Sequence, residues 1–163
     1  MVDATFAEFV EARYGDLLRT AYLLTGSQHA AEDLLQSCLL RTMDRWTAVE
    51  EPMAYLRRAM VNHRTTLWRR LRGAEVLSDE VPEVAGADGT DAVAERALVL
   101  AALARLPKRM RAVVVLRFWD DLSEAATAEI LGCSVGSVKS QSSRGLARLR
   151  DLLGAPAPAG RGQ

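Results

Sequence analysis

Residues 122–150, LSEAATAEILGCSVGSVKSQSSRGLARLR, decide the fold. Apolar residues recur at helical spacing on both sides of Gly132-Cys133-Ser134, which predicts one short helix over 122–131 and a second over 135–153. Two short helices around a glycine-containing turn form the helix-turn-helix signature. Leu122, Ala126, Ile130, Leu131, Val135, Val138 and Leu146 are the positions expected to lock them together. The other side of the second helix carries Ser137, Lys139, Ser140, Gln141, Ser143, Arg144 and Arg148, all hydrogen-bond donors or cations. A DNA major groove admits one α-helix whose early residues reach base edges while cations hold phosphates, so these seven are the candidate duplex-reading residues. The bland alternative is a small three-helix domain whose basic residues are merely solvated.

Working outward, residues 92–106 and 108–119 predict two more helices, separated by Pro107 and ended by Asp120-Asp121. Upstream, residues 73–91 break the helical pattern with Gly73, Pro82, Gly86 and Gly89 among acids, and are expected to be a flexible acidic linker. Before it, Phe6, Phe9, Val10, Leu17, Ala21 and Leu24 mark a first helix that ends at Thr25-Gly26-Ser27. A second runs from about residue 30 to 45, its stripe being Ala31, Leu34, Leu35, Cys38, Leu39, Thr42, Met43 and Trp46. Pro52 opens a third, with Leu56, Ala59, Met60, His63, Leu67 and Leu71 inward. No alternating β-branched run appears, so the fold class is all-α: two small helical domains, 1–72 and 92–153, joined by linker 73–91 and followed by a disordered tail, 154–163.

With 163 residues, 49% hydrophobic and 26% charged, the chain sits in the globular range. No apolar run approaches a membrane span, and residues 1–26 lack a secretory signal, so a cytoplasmic location is expected. Cys38 and Cys133 lie in apolar-periodic stretches and read as buried thiols of a reducing compartment. The 21 basic and 21 acidic residues cancel in sum but are sorted along the chain. Residues 57–72 hold 6 arginines and no acid, 96–117 hold 6 bases and no acid, and 139–150 hold 4 bases and no acid. A polyanion responds to local potential, so three basic blocks outweigh the neutral total and point to nucleic acid.

The third helix concentrates this charge. Arg57, Val61, Arg64, Trp68 and Arg72 fall at intervals of three or four, opposite the inner stripe. Cations tracking phosphate beside a ring that stacks on bases suit a single or opening strand; the alternative is a solvated arginine face with Trp68 tucked against a neighbour. His63, on the inner stripe, reads as a core residue. On the second helix, Glu32, Asp33, Gln36 and Arg41 face outward, which by itself is explained by acids favouring a helix start. No phosphate-cradling glycine loop, metal-spaced Cys/His cluster or nucleophile setting is present, so neither an enzyme nor a cofactor-dependent protein is expected.

The order of these motifs resembles the extracytoplasmic-function, or group four, sigma factors of bacterial RNA polymerase, in their short, arginine-rich, actinobacterial-type branch. The resemblance rests on AEDLLQSCLL (31–40), PMAYLRRAMVNHRTTLWRR (52–70) and LPKRMRAVVVLRFWDDLSEAATAEILGCSVGSVKSQSSRGLARLR (106–150). It implies an amino-terminal domain that binds the clamp of the largest polymerase subunit through Asp33, Leu35, Gln36 and Leu40. It implies that this domain opens the minus-ten element with Arg57, Arg58, Asn62, Arg64, Trp68 and Arg69, the loop at 47–51 holding a flipped base at a cost of a few kcal/mol of unstacking. The carboxy-terminal helix-turn-helix then reads the minus-thirty-five element, with Lys139, Ser143 and Arg144 nearest the DNA. Core polymerase, promoter DNA and an anti-sigma protein are the implied partners. Gln141, where many relatives carry arginine, and Ser142-Ser143 in place of bulkier residues imply fewer direct contacts there. Two other functions remain open on the residues alone: a stand-alone helix-turn-helix regulator and a helical adaptor for acidic partners.

Overall fold

Short polar side chains open the helices and left-handed glycines close them. Ser27, Ser123 and Ser134 each accept a hydrogen bond from the backbone N–H three residues on, at 3.1, 3.0 and 3.0 Å, which satisfies amides that a helix start leaves orphaned. Gly26, Gly132 and Gly154 follow the ends of their helices at φ of 85°, 66° and 66°, a conformation that costs glycine little. The computed structural model describes residues 3–72 and 91–154, with only the backbone for 64–72. The expected linker, apart from Asp91, and the tail beyond Gly154 lie outside them. Among the described residues the order is α1 (Ala4–Thr25), α2 (Gln28–Met43), a 3-10 turn (Trp46–Ala48), α3 (Pro52–Arg72), α4 (Asp91–Ala104), α5 (Lys108–Val114), a π-turn (Val115–Trp119), α6 (Glu124–Leu131) and α7 (Val135–Leu153).

The predicted stripes meet in a hydrophobic cluster that runs through both halves. Leu17, Leu24, Leu34, Leu35, Leu56 and Met60 are sealed from solvent, and the same cluster continues through Leu103, Val114, Val115 and Leu149. Each large aliphatic side chain sealed in this way stabilises the fold by about 1.5–3 kcal/mol. Arg111 crosses the same junction: it is 2% exposed, and its Nε donates to the Leu23 carbonyl at 2.7 Å, answering an orphan acceptor in the last turn of α1. Cys38 lies in this core, where burial pushes its thiol up to about 11.

Four expectations need correction. Trp46 is not on the α2 stripe; it sits on the 3-10 turn, its ring 5.2 Å from both Phe6 and Phe9, and its indole N–H donates to Thr5 Oγ1 at 2.8 Å. Glu32 and Asp33 do not open α2, because the helix starts at Gln28 with Ser27 as its cap. Residues 108–119 are not one regular helix. The chain widens to π geometry at Val115–Trp119, where the Asp120 N–H reaches back five residues to the Val115 carbonyl at 3.0 Å. Last, the helix-turn-helix is locked by Val113, Ala128 and Val138 with Leu131 and Cys133, whereas Val135 is 40% exposed and Leu122, Ala126 and Ile130 line a cleft against α3.

Candidate nucleic-acid interface

The turn between α6 and α7 is built by the backbone. Gly132 N–H bonds to the Glu129 carbonyl at 3.3 Å and Cys133 N–H to the Ala128 carbonyl at 3.1 Å, the paired bonds of a Schellman end, and Ser134 caps α7 at once. Helix α7 is then seated by Val138, Gly145 and Leu149, all buried. Gly145 allows the close approach: a Cβ there would lie 2.6 Å from Val114 Cγ2 and 3.1 Å from Met110 Cγ. Nothing in the helical pattern of the sequence separates this glycine from an ordinary weak helix residue.

Seating α7 on that side leaves Lys139, Ser140, Ser143, Arg144 and Arg148 exposed, with Ser137 and Gln141 half-buried at the edge. Lys139 Nζ is 3.9 Å from Glu124 Oε2, and Arg117 Nη2 is 3.9 Å from Glu124 Oε1. Such a long contact on a mostly exposed lysine contributes little and leaves the cation available. All seven predicted duplex-reading residues thus share one helix, five on the side away from the core and two, Ser137 and Gln141, at its edge.

The α3 residues divide. Arg58 and Asn62 are exposed. Arg57 is not on a solvated face: its Nε is 3.1 Å from Asp120 Oδ2, with the two side chains 17% and 11% exposed. Val61, expected beside it on the outer face, packs against the core. The side chains of Arg64, Trp68 and Arg69 lie outside the described residues. Asp120 also accepts from the Thr20 hydroxyl at 2.8 Å. Burial nevertheless outweighs these partners and raises its carboxyl above the ordinary range, with Asp16 nearby adding to the rise. The sequence marks Asp120-Asp121 only as a helix end; the π-turn is what aims Asp120 back at α1 and α3.

The loop at 47–51 borders a cleft of roughly 680 Å³. Arg45, Val49, Tyr55 and Arg58 form one wall, and Leu122, Ala126 and Ile130 of the α6 region form the other. On α2, Asp33 and Gln36 are exposed and Leu40 is 63% exposed, together with Leu34 and His63 around a shallow depression. Leu35 does not belong with them. It is fully buried, because its position in the helical period turns it into the core, so it supports the α2 surface from beneath.

Comparison with known proteins gives this arrangement its class. Residues 9–73 match Sigma-70 region 2, and residues 96–149 match Sigma-70 region 4. The chain is 44% identical over 151 residues to the RNA polymerase sigma-E factor of Streptomyces coelicolor, covering 91% of this chain and 85% of that one. It is 29% identical to the ECF RNA polymerase sigma factor SigW of Bacillus subtilis, covering 91% and 88%. Among solved structures it is similar to the sigma factor RpoE in complex with the anti-sigma factor NepR from Bartonella quintana, with a TM-score of 0.80, 25% identity, and 95% and 100% of the two chains covered.

The fold and the helix-turn-helix are therefore those of a sigma-70-type transcription factor. The chain belongs to the extracytoplasmic-function sigma factors, and it directs bacterial core RNA polymerase to specific promoters. Sigma factors are non-enzymatic regulators. No helix among the described residues is long and apolar enough to cross a membrane.

Proposed function

We propose that the work is divided between two domains, 1–72 and 92–153, with the 73–91 segment as a linker. The carboxy-terminal domain reads the minus-thirty-five duplex through α7, with Lys139, Ser143 and Arg144 nearest the bases and Ser137, Ser140, Gln141 and Arg148 positioning the helix on phosphate. The observation that carries this is the one-sidedness of α7: Val138, Gly145 and Leu149 are buried, while Lys139, Ser143 and Arg144 stand in solvent. Base contacts then specify sequence and phosphate contacts fix register.

The amino-terminal domain takes the minus-ten strand along α3 with Arg57, Arg58, Asn62, Arg64, Trp68 and Arg69, and a flipped base enters beside the 47–51 loop. Helix α2 meets the polymerase clamp through Asp33, Gln36 and the exposed Leu40, an apolar anchor flanked by polar groups. An anti-sigma protein is a further partner; the RpoE relative was solved bound to one. The protein acts in the cytoplasm, where the polymerase is. Run-off transcription with purified core polymerase, with and without this chain, on fragments of its own genome tests the proposal. Factor-dependent transcripts from defined start sites are expected. Specific duplex binding with no such transcripts would instead indicate a stand-alone regulator.

A further inference from the structure

Glu124 stands at the root of the helix-turn-helix, the first residue of α6 after its Ser123 cap. Its carboxylate lies between two cations of unequal freedom. On the inner side, Arg117 Nη2 is 3.9 Å from Oε1, and that guanidinium has anchors of its own: Nη1 donates to the Leu122 carbonyl, and its carbon is 5.5 Å from the centre of the Phe118 ring. On the outer side, Lys139 Nζ on α7 is 3.9 Å from Oε2, and the lysine is 67% exposed where Arg117 is 23% exposed. Oε2 is closed off from solvent and accepts no hydrogen bond among the described residues. Between residues 122 and 150 the only other acid is Glu129, which lines the cleft on the α3 side. Glu124 is thus the acid that the motif places beside its own DNA-facing residues.

We propose that Glu124 is a specificity-determining residue for the minus-thirty-five element: a positioning residue that holds the Lys139 ammonium toward the start of α6, aiming it at a base edge and away from the phosphates. The proposal rests on the assignment of that duplex to α7 above. A lysine is a compact charge on a flexible stem, so its neighbours decide where it points. Phosphates compete for it on any sequence, and a lysine they capture reads nothing. Glu124 opposes that capture. Its enclosed Oε2 has an acceptor site to fill, Arg117 is committed to Leu122 and Phe118, and Lys139 is the cation free to move. Closing the gap by about 1 Å gives a charge-assisted hydrogen bond of ordinary length. In the free chain so long a pair contributes little, but as α7 enters the groove water leaves and the same charges act more strongly. The ammonium keeps two further donors, enough for the O6 and N7 of a guanine. Leu122, Arg117, Glu124 and Lys139 thus carry position from the inner side of the motif to its DNA face.

The experiment uses holoenzyme reconstituted from core polymerase and the full chain. Its templates are a promoter mapped by run-off transcription and a set in which each base pair of the minus-thirty-five element is changed in turn. Transcript yields from competing templates are compared for the parent, Glu124→Gln, Lys139→Met and the double variant. Glutamine keeps the size of the side chain and removes its charge, and methionine keeps much of the lysine stem. Glu124→Gln is expected to lose discrimination on the order of tenfold at the base pair that Lys139→Met also relaxes, and to discriminate like the parent elsewhere. The double variant should be no more relaxed than Lys139→Met alone, because the two residues act as one unit.

A Glu124→Gln profile identical to the parent's overturns the proposal. So does relaxation that adds to that of Lys139→Met, since Glu124 then acts through another group. Loss of yield spread evenly over all templates, together with a lowered Tm, marks a merely structural role and also overturns it. A Lys139→Met variant that loses yield evenly places Lys139 on phosphate, with the same consequence. If Glu124→Gln loses helicity by circular dichroism, Glu124→Asp takes its place. It keeps the charge one methylene short of the lysine and should relax the same base pair by a smaller factor; an unchanged profile overturns the proposal. A parent holoenzyme indifferent to every change in the element is a different result: it defeats the minus-thirty-five assignment itself, and the proposal with it.

Discussion

Helices α3 and α7 both carry arginines at helical spacing, yet the structure treats them differently. Helix α7 turns Val138, Gly145 and Leu149 inward and leaves Lys139, Ser140, Ser143, Arg144 and Arg148 in solvent. Helix α3 buries Leu56 and Met60 on one side, and also commits Arg57 and Val61 of its supposed outer side to contacts within the chain. The difference shows that a basic helical face stays available to DNA where the carboxylate in reach is distant and its cation exposed to solvent, and not where the pair is close and enclosed. For α7 the neighbouring acid is Glu124 of α6, 3.9 Å from a mostly exposed lysine. For α3 it is the enclosed Asp120, 3.1 Å from Arg57.

The largest way to break the comparison is to unseat α7. Gly145→Val places methyl groups where a Cβ alone is already 2.6 Å from the stiff, buried Val114. Overpacking of this kind is expected to cost about 3 kcal/mol, read as a lowered Tm in thermal denaturation. Arg144→Ala tests the displayed face without touching the core. Loss on the order of 1–3 kcal/mol, confined to promoters with the proper upstream element and measured by holoenzyme binding, is expected for a base-edge contact. A smaller, uniform loss would mean that Arg144 touches phosphate alone.

Thr127, beneath the same motif, sharpens the comparison in the other direction. It is fully buried, and its hydroxyl has no hydrogen-bond partner among the described residues. Thr127→Val should raise stability by about 1 kcal/mol, seen as a higher Tm, with α7's DNA contacts unchanged.

The smallest effect is one of pH on the tucked face. The Asp120 carboxyl is raised above its ordinary 3.8 in the folded chain, so the folded form holds that proton more tightly than the unfolded form. Its contribution is complete below 3.8 and is lost as pH rises through the elevated value. Relative to Asp120→Asn, the parent chain should therefore melt at a higher temperature on the acid side of this window than above it, once the shared titration of other carboxylates is subtracted. A difference that does not change with pH would show that Arg57 and Thr20 repay the burial in full.

Helix order was legible because the apolar period is strong and the caps are ordinary. Ser27, Ser123, Ser134, Gly26 and Gly132 all sit where short-range chemistry puts a start or a stop. The exposed side of α7 followed from the same period. What the sequence hid was set by contacts between distant segments. Leu35 already stood on the inner stripe of the second helix, and only the family resemblance set it beside Leu40 as a clamp contact; one is sealed and the other 63% exposed. Arg57 was legible as a cation on an arginine face, but its partner lies 63 residues away. Trp46 continued the α2 stripe on paper, yet Phe6, Phe9 and the Thr5 hydroxyl draw it onto a separate turn.

The π-turn at Val115–Trp119 absorbs one residue and still brings Asp120 back over the Val115 carbonyl. It holds one more residue than an α-turn would, and each residue in a regular helix advances the direction of its side chain by about 100°. With one residue removed from this segment, Asp120 would bond four residues back to the same Val115 carbonyl in regular geometry and keep its aim at Thr20 and Arg57; closing the same five residues to regular geometry would instead swing it by roughly 100°. Aligned relatives with a one-residue gap at this point are therefore expected to keep the contact that joins the two DNA-facing surfaces, on a regular helix.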